Sequence, residues 1–413
     1  MRWASSLGVQ AIGPLSAFAT VFLVARLGGA AAQGQFAQAK AWVDLLVALG
    51  CFGFPQSIVY VVNRLGAPVH RLAWLALAYG ALFAPVAWLV TWWGQSRGWT
   101  GASTGGATMA LVPALAGVLL VVHGLWRGVY LTRHQGVSFA VFSILPAVAL
   151  LAAVAALRGQ GPYAPLILGA ATVPAVIGAA MTVAMLRRLP VQAPATVPWR
   201  PLFSNGTHVF AQAVLLVLQP LLAYGLVRGL GGGDAQVGHL NSGVFLSQGL
   251  LVPIGLVSPL MFARWTATPD GGLLARLDRR AAPWVACGAA AGLAMALLSW
   301  FVVPLVFGAD HRPASAAVAV MMLTVPLAAH CRLIAPALHA HGRPAVNTLC
   351  AALRLGSIAL VAWLLARSSL GALMAVAVAW SCGEALALAV TLWLLHRLVG
   401  IDRRDGADGG EAA

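Results

Sequence analysis

The sequence predicts an all-α polytopic membrane protein, about twelve transmembrane helices in two six-helix bundles related as a parallel repeat, and three observations predict it. Of 413 residues, 61% are hydrophobic and 8% charged. The mean hydropathy is +0.87, a balance that no water-soluble globule of this size presents to solvent. Apolar runs recur between Gly, Pro and Arg, and a proline-rich stretch parts them into two sets of six. At roughly 20 residues per crossing these runs use nearly the whole chain. No room is left for a kinase, ATPase or glycosyltransferase domain. A P-loop also needs Lys followed by Ser or Thr, and the single lysine, Lys40, is followed by Ala41.

The N-terminal bundle is expected over 1–186, with spans at 5–25, 38–63, 71–93, 107–130, 137–157 and 163–186. Met1 and Arg2 lead straight into an apolar run without a small-residue cleavage site, so the first span is expected to be retained. A cytoplasmic linker follows over 187–202, where Pro190, Pro194, Pro198 and Pro201 exclude a helix and give a semi-rigid connection. The C-terminal bundle is expected over 203–396, with spans at 203–229, 238–263, 283–307, 314–338, 345–366 and 370–396. A cytoplasmic polar tail is expected over 397–413, glycine-rich and disordered after Ile401.

A net charge of +15 on a soluble protein would suggest nucleic acid. Here the 24 arginines fall in alternate connectors, so a nucleic-acid partner is not expected. Sixteen of the 25 basic residues collect on the side that includes Arg2, Arg127, Arg187, Arg188 and Arg397, six lie opposite, and Lys40, Arg332 and Arg354 lie within spans. The positive-inside rule then puts both termini in the cytoplasm. Trp88, Trp92, Trp93 and Trp99 cluster where an interfacial belt would lie on the far side.

An internal repeat appears when the halves are overlaid. At an offset of 204, Gly28, Gly29, Gly34, Leu46 and Pro55 fall on Gly232, Gly233, Gly238, Leu250 and Pro259. Each half has an even number of spans, so both enter from the same side, a parallel repeat that transporters use with the substrate path between halves. Prolines within spans, Pro14 and Pro220 in the first and seventh and Pro55 and Pro259 in the second and eighth, are expected to act as hinges.

The second span reads Gly34-Gln35-Phe36-Ala37, then Ala39-Lys40-Ala41-Trp42-Val43-Asp44-Leu45-Leu46 and Gly50-Cys51-Phe52-Gly53-Phe54-Pro55-Gln56-Ser57. This stretch resembles the opening of bacterial oligosaccharide flippases, the polysaccharide-transport branch of the multidrug/oligosaccharidyl-lipid/polysaccharide (MOP) superfamily. The six-plus-six layout agrees over the whole chain, but it is shared with the superfamily's drug exporters; only the second-span stretch points to the sugar branch. The resemblance implies a fold like that of the MATE exporters. It also implies a polysaccharide-biosynthesis flippase in the bacterial inner membrane, moving undecaprenyl-diphosphate-linked oligosaccharide from the cytoplasmic to the periplasmic leaflet by alternating access. The partners it implies are that lipid, the phospholipid bilayer, a polysaccharide polymerase and glycosyltransferases. No cofactor is expected beyond coupling to a proton or sodium gradient, and no enzyme activity.

Charges within spans are functional candidates by default. Lys40 and Asp44 share a helix face and can neutralise each other; the lysine either snorkels to the nearby surface or stands with Asp44 in a water-filled lumen. Under the repeat Asp44 falls on Gln248, polar in both halves. Arg354 lies deep in the eleventh span on a polar stripe with Asn347 and Ser357; Arg332 is shallower, with snorkelling the alternative. Facing a cavity, their forked donors suit a diphosphate. Glu384 in the twelfth span is protonated, paired with a neighbouring arginine, or, like Asp44, an ion-coupling site. Asn205, His208, Gln212 and Gln219 form a polar stripe on the seventh span, suited to sugar hydroxyls or to helix-to-helix hydrogen bonds.

Cys51, Cys287, Cys331, Cys350 and Cys382 lie in apolar stretches without a CxxC pair and are expected to be small buried residues. His330, His339 and His341 lack acid or cysteine partners at ligand spacing, so no metal site is expected. The expected substrate-binding set is therefore Lys40, Arg332, Arg354, His208, Gln212 and Gln248. An ion-coupled multidrug or cation exporter of the same superfamily is the alternative. A cation exporter wants lumen carboxylates, whereas an anionic diphosphate wants lumen arginines.

Overall fold

The computed structural model describes residues 2–97, 107–132, 137–188, 197–267, 273–340 and 343–408. Within these ranges the side chains of 2–7, 64, 107–109, 137–138, 205, 208–209, 256–257, 259–264, 266–267, 339–340, 344 and 400–408 lie outside the described ones. Everything regular among the described residues is helical. The chain divides into two compact units, one of Met1–Arg228 with Gly232–Asn241 and the other of Gly229–Gly231 with Ser242–Ala413.

The first unit contains α1 (Arg2–Cys51), α2 (Phe54–Leu65), α3 (Val69–Ser96), α4 (Ala107–Leu131), α5 (Val137–Ala156), α6 (Tyr163–Arg188) and α7 (Trp199–Gly229), and takes in the start of α8 (Asp234–Ala267). The second holds the rest of α8, then α9 (Leu273–Phe307), a 3-10 turn (Ala309–Ala314), α10 (Ser315–Met322), α11 (Val325–Ala340), α12 (Pro344–Leu365) and α13 (Ala372–Asp408). Nine of these stretches are long and apolar enough to cross a membrane among the described residues, or ten if one bent pair counts as a span. One of the nine, Gly8–Asn63, runs for 56 residues. That is about 84 Å at ~1.5 Å per residue, enough for two crossings of a ~30 Å hydrocarbon core. Taking the bent pair as one span, counting Gly8–Asn63 twice and adding α8 on its length of 34 residues accounts for the expected twelve.

The connectors differ from expectation for identifiable reasons. The first two spans are joined by Gly29 alone, at φ 75° and ψ −175°, which only a residue without Cβ adopts readily. The second span therefore begins at residue 30, not 38. It is interrupted at Cys51–Phe54, and the span expected over 314–338 is bent by 45° between α10 and α11. Both breaks obey one rule: a proline cannot donate to the carbonyl four residues earlier and its ring crowds that carbonyl. Pro55 lies four residues after Cys51, where α1 ends, and Pro326 four after Met322, where α10 ends. Of the expected hinges, Pro55 thus follows a real break, Pro14 and Pro220 lie inside continuous helices, and the backbone of α8 runs unbroken through Pro259.

Helix also extends further at two other places. Pro201 falls in the first turn of α7, where its missing N–H has no partner to lose. The polar tail is helical as far as Asp408. The division of the chain by contact leaves α7 with the first unit, although the sequence assigns that span to the C-terminal bundle. Close backbone packing is the reason: a Cβ at Gly53 would collide with the Gly206 carbonyl, and one at Gly34 with the Asp234 carbonyl.

Each unit has its own packed interior. In the first, Trp42 is buried, its ring seated over Gly94 and its Nε1 donating to Thr91 Oγ1 at 3.3 Å. In the second, Leu273, Leu274, Ile334, Ala337, Leu338, Leu395 and Val399 join α9, α11 and α13 in one apolar cluster. Of the tryptophans expected to form a belt, Trp88 and Trp92 stack at 6.5 Å on α3, and Trp92 and Trp93 are about half exposed; Trp99 lies outside the described residues. The cysteines are all free, but Cys287 and Cys382 are exposed, not buried. An apolar thiol facing outward on a membrane helix meets lipid, so burial inside protein is not required of it.

Candidate functional site

In the first unit, Lys40 and Asp44 form the ion pair their spacing implies, with Nζ 2.6 Å from Asp44 Oδ2 and the side chains 35% and 41% exposed. Because the helix starts at residue 30, Lys40 stands about 16 Å along it from the turn at ~1.5 Å per residue. The short snorkelling path that a start at 38 would have offered is gone. Tyr224 of α7 lies near Asp44, and its hydroxyl donates to Asn241 Oδ1 at 2.7 Å. At the turn between α7 and α8, Asp234 accepts from Arg228 and from Gln35 Nε2, the latter at 2.9 Å.

The second unit brings together four residues that the sequence singled out separately. Arg332 on α11 donates from a terminal nitrogen to Gln248 Oε1 on α8 at 2.6 Å, a charged donor on a neutral acceptor. Arg354 on α12 lies 3.0 Å, Nε to Oε2, from Glu384 on α13, and the two side chains are only 12% and 8% exposed. This corrects the expectation of Arg354 as a free cation for an anionic substrate: its charge is balanced inside a helix contact. Low dielectric makes an unpaired buried guanidinium very costly, and the carboxylate one helix away removes that cost. The same pairing takes up Glu384, leaving Asp44 as the more open in-span carboxylate. Around the pair, Thr391 donates to Cys350 Sγ at 3.2 Å and lies 3.8 Å from Cys331 Sγ. Asn347, on the same stripe as Arg354, donates to the Ala335 carbonyl at 3.1 Å, so the stripe serves helix-to-helix bonding.

On α7 the side chains of Asn205 and His208 lie outside the described ones; Gln212 is half-buried, and Gln219 is buried and partnered. No group of three potential metal ligands occurs among the described residues; His330 is buried, while His339 and His341 fall outside the described side chains.

One residue was missed by the sequence reading. Arg127, counted there among connector arginines, lies inside α4, exposed, with Nε donating to Ser143 Oγ on α5 at 3.0 Å and its guanidinium 5.4 Å from the Phe139 ring. Beside it the second span breaks: a Cβ at Gly128 would collide with the Pro55 backbone, and one at Gly124 would meet Cys51 Sγ. Phe52 and Phe54 at the break pack against Phe203 of α7, with ring centroids 6.0 and 5.2 Å away.

Comparison with known proteins agrees with this architecture. A family described as polysaccharide biosynthesis protein matches residues 2–262. No curated protein matches the chain. Among solved structures the chain is similar to an inward-facing multidrug resistance MATE family transporter of the MOP superfamily, at 15% identity and TM-score 0.69, over 96% of this chain and 99% of that one. It is similar to the lipid II flippase MurJ in an inward closed conformation at 12% identity and TM-score 0.72, over 94% of this chain and 86% of that one. The Vibrio cholerae MATE transporter VcmN in its bent form gives 15% identity and TM-score 0.63, over 97% and 96%. At such identities the likeness is one of fold, and it is the MATE-like fold that the resemblance implied.

Proposed function

The chain belongs to the polysaccharide biosynthesis protein family, and from that premise we propose that it is a flippase carrying an undecaprenyl-diphosphate-linked oligosaccharide across the inner membrane, from the cytoplasmic to the periplasmic leaflet. The observation that carries this reading is the charge balance within the spans. Lys40 pairs with Asp44, while Arg332 and Arg354 share the single carboxylate Glu384, with the Arg332 hydrogen bond going to the neutral Gln248 amide, so basic groups outnumber acids within the spans. A surplus of forked cationic donors suits a diphosphate, whose charge must be screened as it leaves the interface. The same surplus of base over acid disfavours a cation exporter, which wants carboxylates in excess within the spans. The fold shared with a lipid II flippase supports the reading.

Within it, Arg332 and Gln248 are the substrate contacts of the second unit, Lys40 screens the charge in the first, and Gln212 meets sugar hydroxyls. Asp44, the more open acid, is the coupling group for a proton or sodium gradient. Both termini are cytoplasmic, and a polymerase and glycosyltransferases act on either side of the transport step. A strain lacking the protein is expected to accumulate the lipid-linked oligosaccharide in a form shielded from periplasmic enzymes. Arg332→Gln should lower surface polysaccharide at least tenfold at matched protein level, the order expected from losing a charge-assisted hydrogen bond. A deletion strain with normal surface polysaccharide and no such intermediate would remove the proposal.

A further inference from the structure

We propose that Arg127 is a contact for an isoprenoid diphosphate in the first unit, at the end where α4 meets the break in the second span; this rests on the flippase reading and names a residue and a ligand group for it. The guanidinium is positioned, not loose. Ser143 Oγ donates to the Phe139 carbonyl at 2.8 Å, which turns its lone pairs toward Arg127 Nε, and the Phe139 ring supports the guanidinium plane. With Nε used in this way, the two terminal nitrogens have no protein hydrogen bond among the described residues. They form the edge of the fork that can hold two phosphate oxygens at once.

Nothing in the unit's own side chains balances this charge. Residues 1–228 and 232–241 contain two carboxylates in all, Asp44 and Asp234, and these are engaged by Lys40 and Arg228. A second, independent source of positive potential adjoins the arginine. α2 restarts at Phe54 behind Gly53 without a side-chain cap, so its first N–H groups and the positive end of its dipole lie at the break that Gly128 touches. Ser57, on that first turn, is 1% exposed and its hydroxyl oxygen has no hydrogen-bond partner. Broken membrane helices present such ends to anionic groups of substrates. Trp199 and Phe203, each about half exposed, add an apolar surface near the break for the start of a hydrocarbon chain.

The test uses the full-length protein in detergent, with tryptophan fluorescence reporting titrations of farnesyl diphosphate, farnesyl monophosphate and phosphatidylglycerol. Arg127→Gln should weaken farnesyl diphosphate about ten- to hundredfold, the loss expected for a bidentate charged contact. Arg127→Lys should weaken it less, since charge remains without the fork. Ser143→Ala, which frees the guanidinium to turn, should narrow the preference for farnesyl diphosphate over farnesyl monophosphate, a ratio that a purely structural role would leave alone. If Arg127→Gln fails to fold, the lysine variant carries the test, and its unchanged affinity would overturn the proposal. Unchanged affinity in a folded Arg127→Gln overturns the Arg127 assignment while the flippase reading stands. Equal losses for phosphatidylglycerol and farnesyl diphosphate overturn it too, making the site a general anionic-lipid contact. Failure of the unaltered protein to bind farnesyl diphosphate at all, together with a deletion strain that exports normally, sinks both readings.

Discussion

Arg354→Met should destabilise the protein by about 3–5 kcal/mol, because it removes the guanidinium ion-paired with the buried Glu384 carboxylate. Glu384→Met should do at least as much, since a guanidinium 12% exposed would be stranded. Made together, the two substitutions should return stability to within about 1 kcal/mol of the starting protein, as replacement of a buried ion pair by well-packed apolar residues commonly does. Thermal unfolding in detergent, arranged as a double-mutant cycle, reads this as a large coupling between the positions. Export by the double variant decides what the pair is for. We expect it to continue, because removing one acid and one base together leaves the surplus of base unchanged and Arg332 keeps its forked donor. A stable double variant that has lost export would instead return Arg354 and Glu384 to the transport machinery.

Gly34→Ala and Gly238→Ala should each lower stability by about 1–3 kcal/mol, the usual range for forcing atoms into a closed contact. Here the contact is backbone on backbone. A methyl at Gly34 meets the Asp234 carbonyl and the Gly238 nitrogen, and one at Gly238 meets the Ala30 carbonyl. No side chain can rotate away, so the second half of α1 and the first turn of α8 must move apart. That motion also stretches the bond from Gln35 to Asp234 beside it. Because both substitutions force the same separation, the double variant should cost less than the sum of the singles. Melting temperatures unaffected by either alanine would show that the contact is looser than the structure has it.

These two glycines were legible in the sequence as a matched pair at offset 204, but only as a repeat signal. Nothing in one dimension says that the equivalent positions touch. The ion pairs divide in the same way. Lys40 and Asp44 were predictable partners because helical spacing places i and i+4 on one face. Arg354 and Glu384 are 30 residues apart on different helices, so their spacing carries no such information. Arg127 lay within the expected span 107–130 but was counted with the connector charges because it stands near the span's end; only the packing of α4 against α5 shows its Nε held by Ser143.

Hydropathy determined the membrane class and the number of crossings, since these depend on local transfer energies; proline position marked places where a helix could break, and the tertiary structure decided that Pro55 and Pro326 follow breaks while Pro14, Pro220 and Pro259 do not. Which charges are neutralised and which remain available was decided only by the packing of one helix against another. In a medium that cannot solvate a bare charge, the nearest partner in space sets a residue's role, and that partner is seldom its neighbour in the chain.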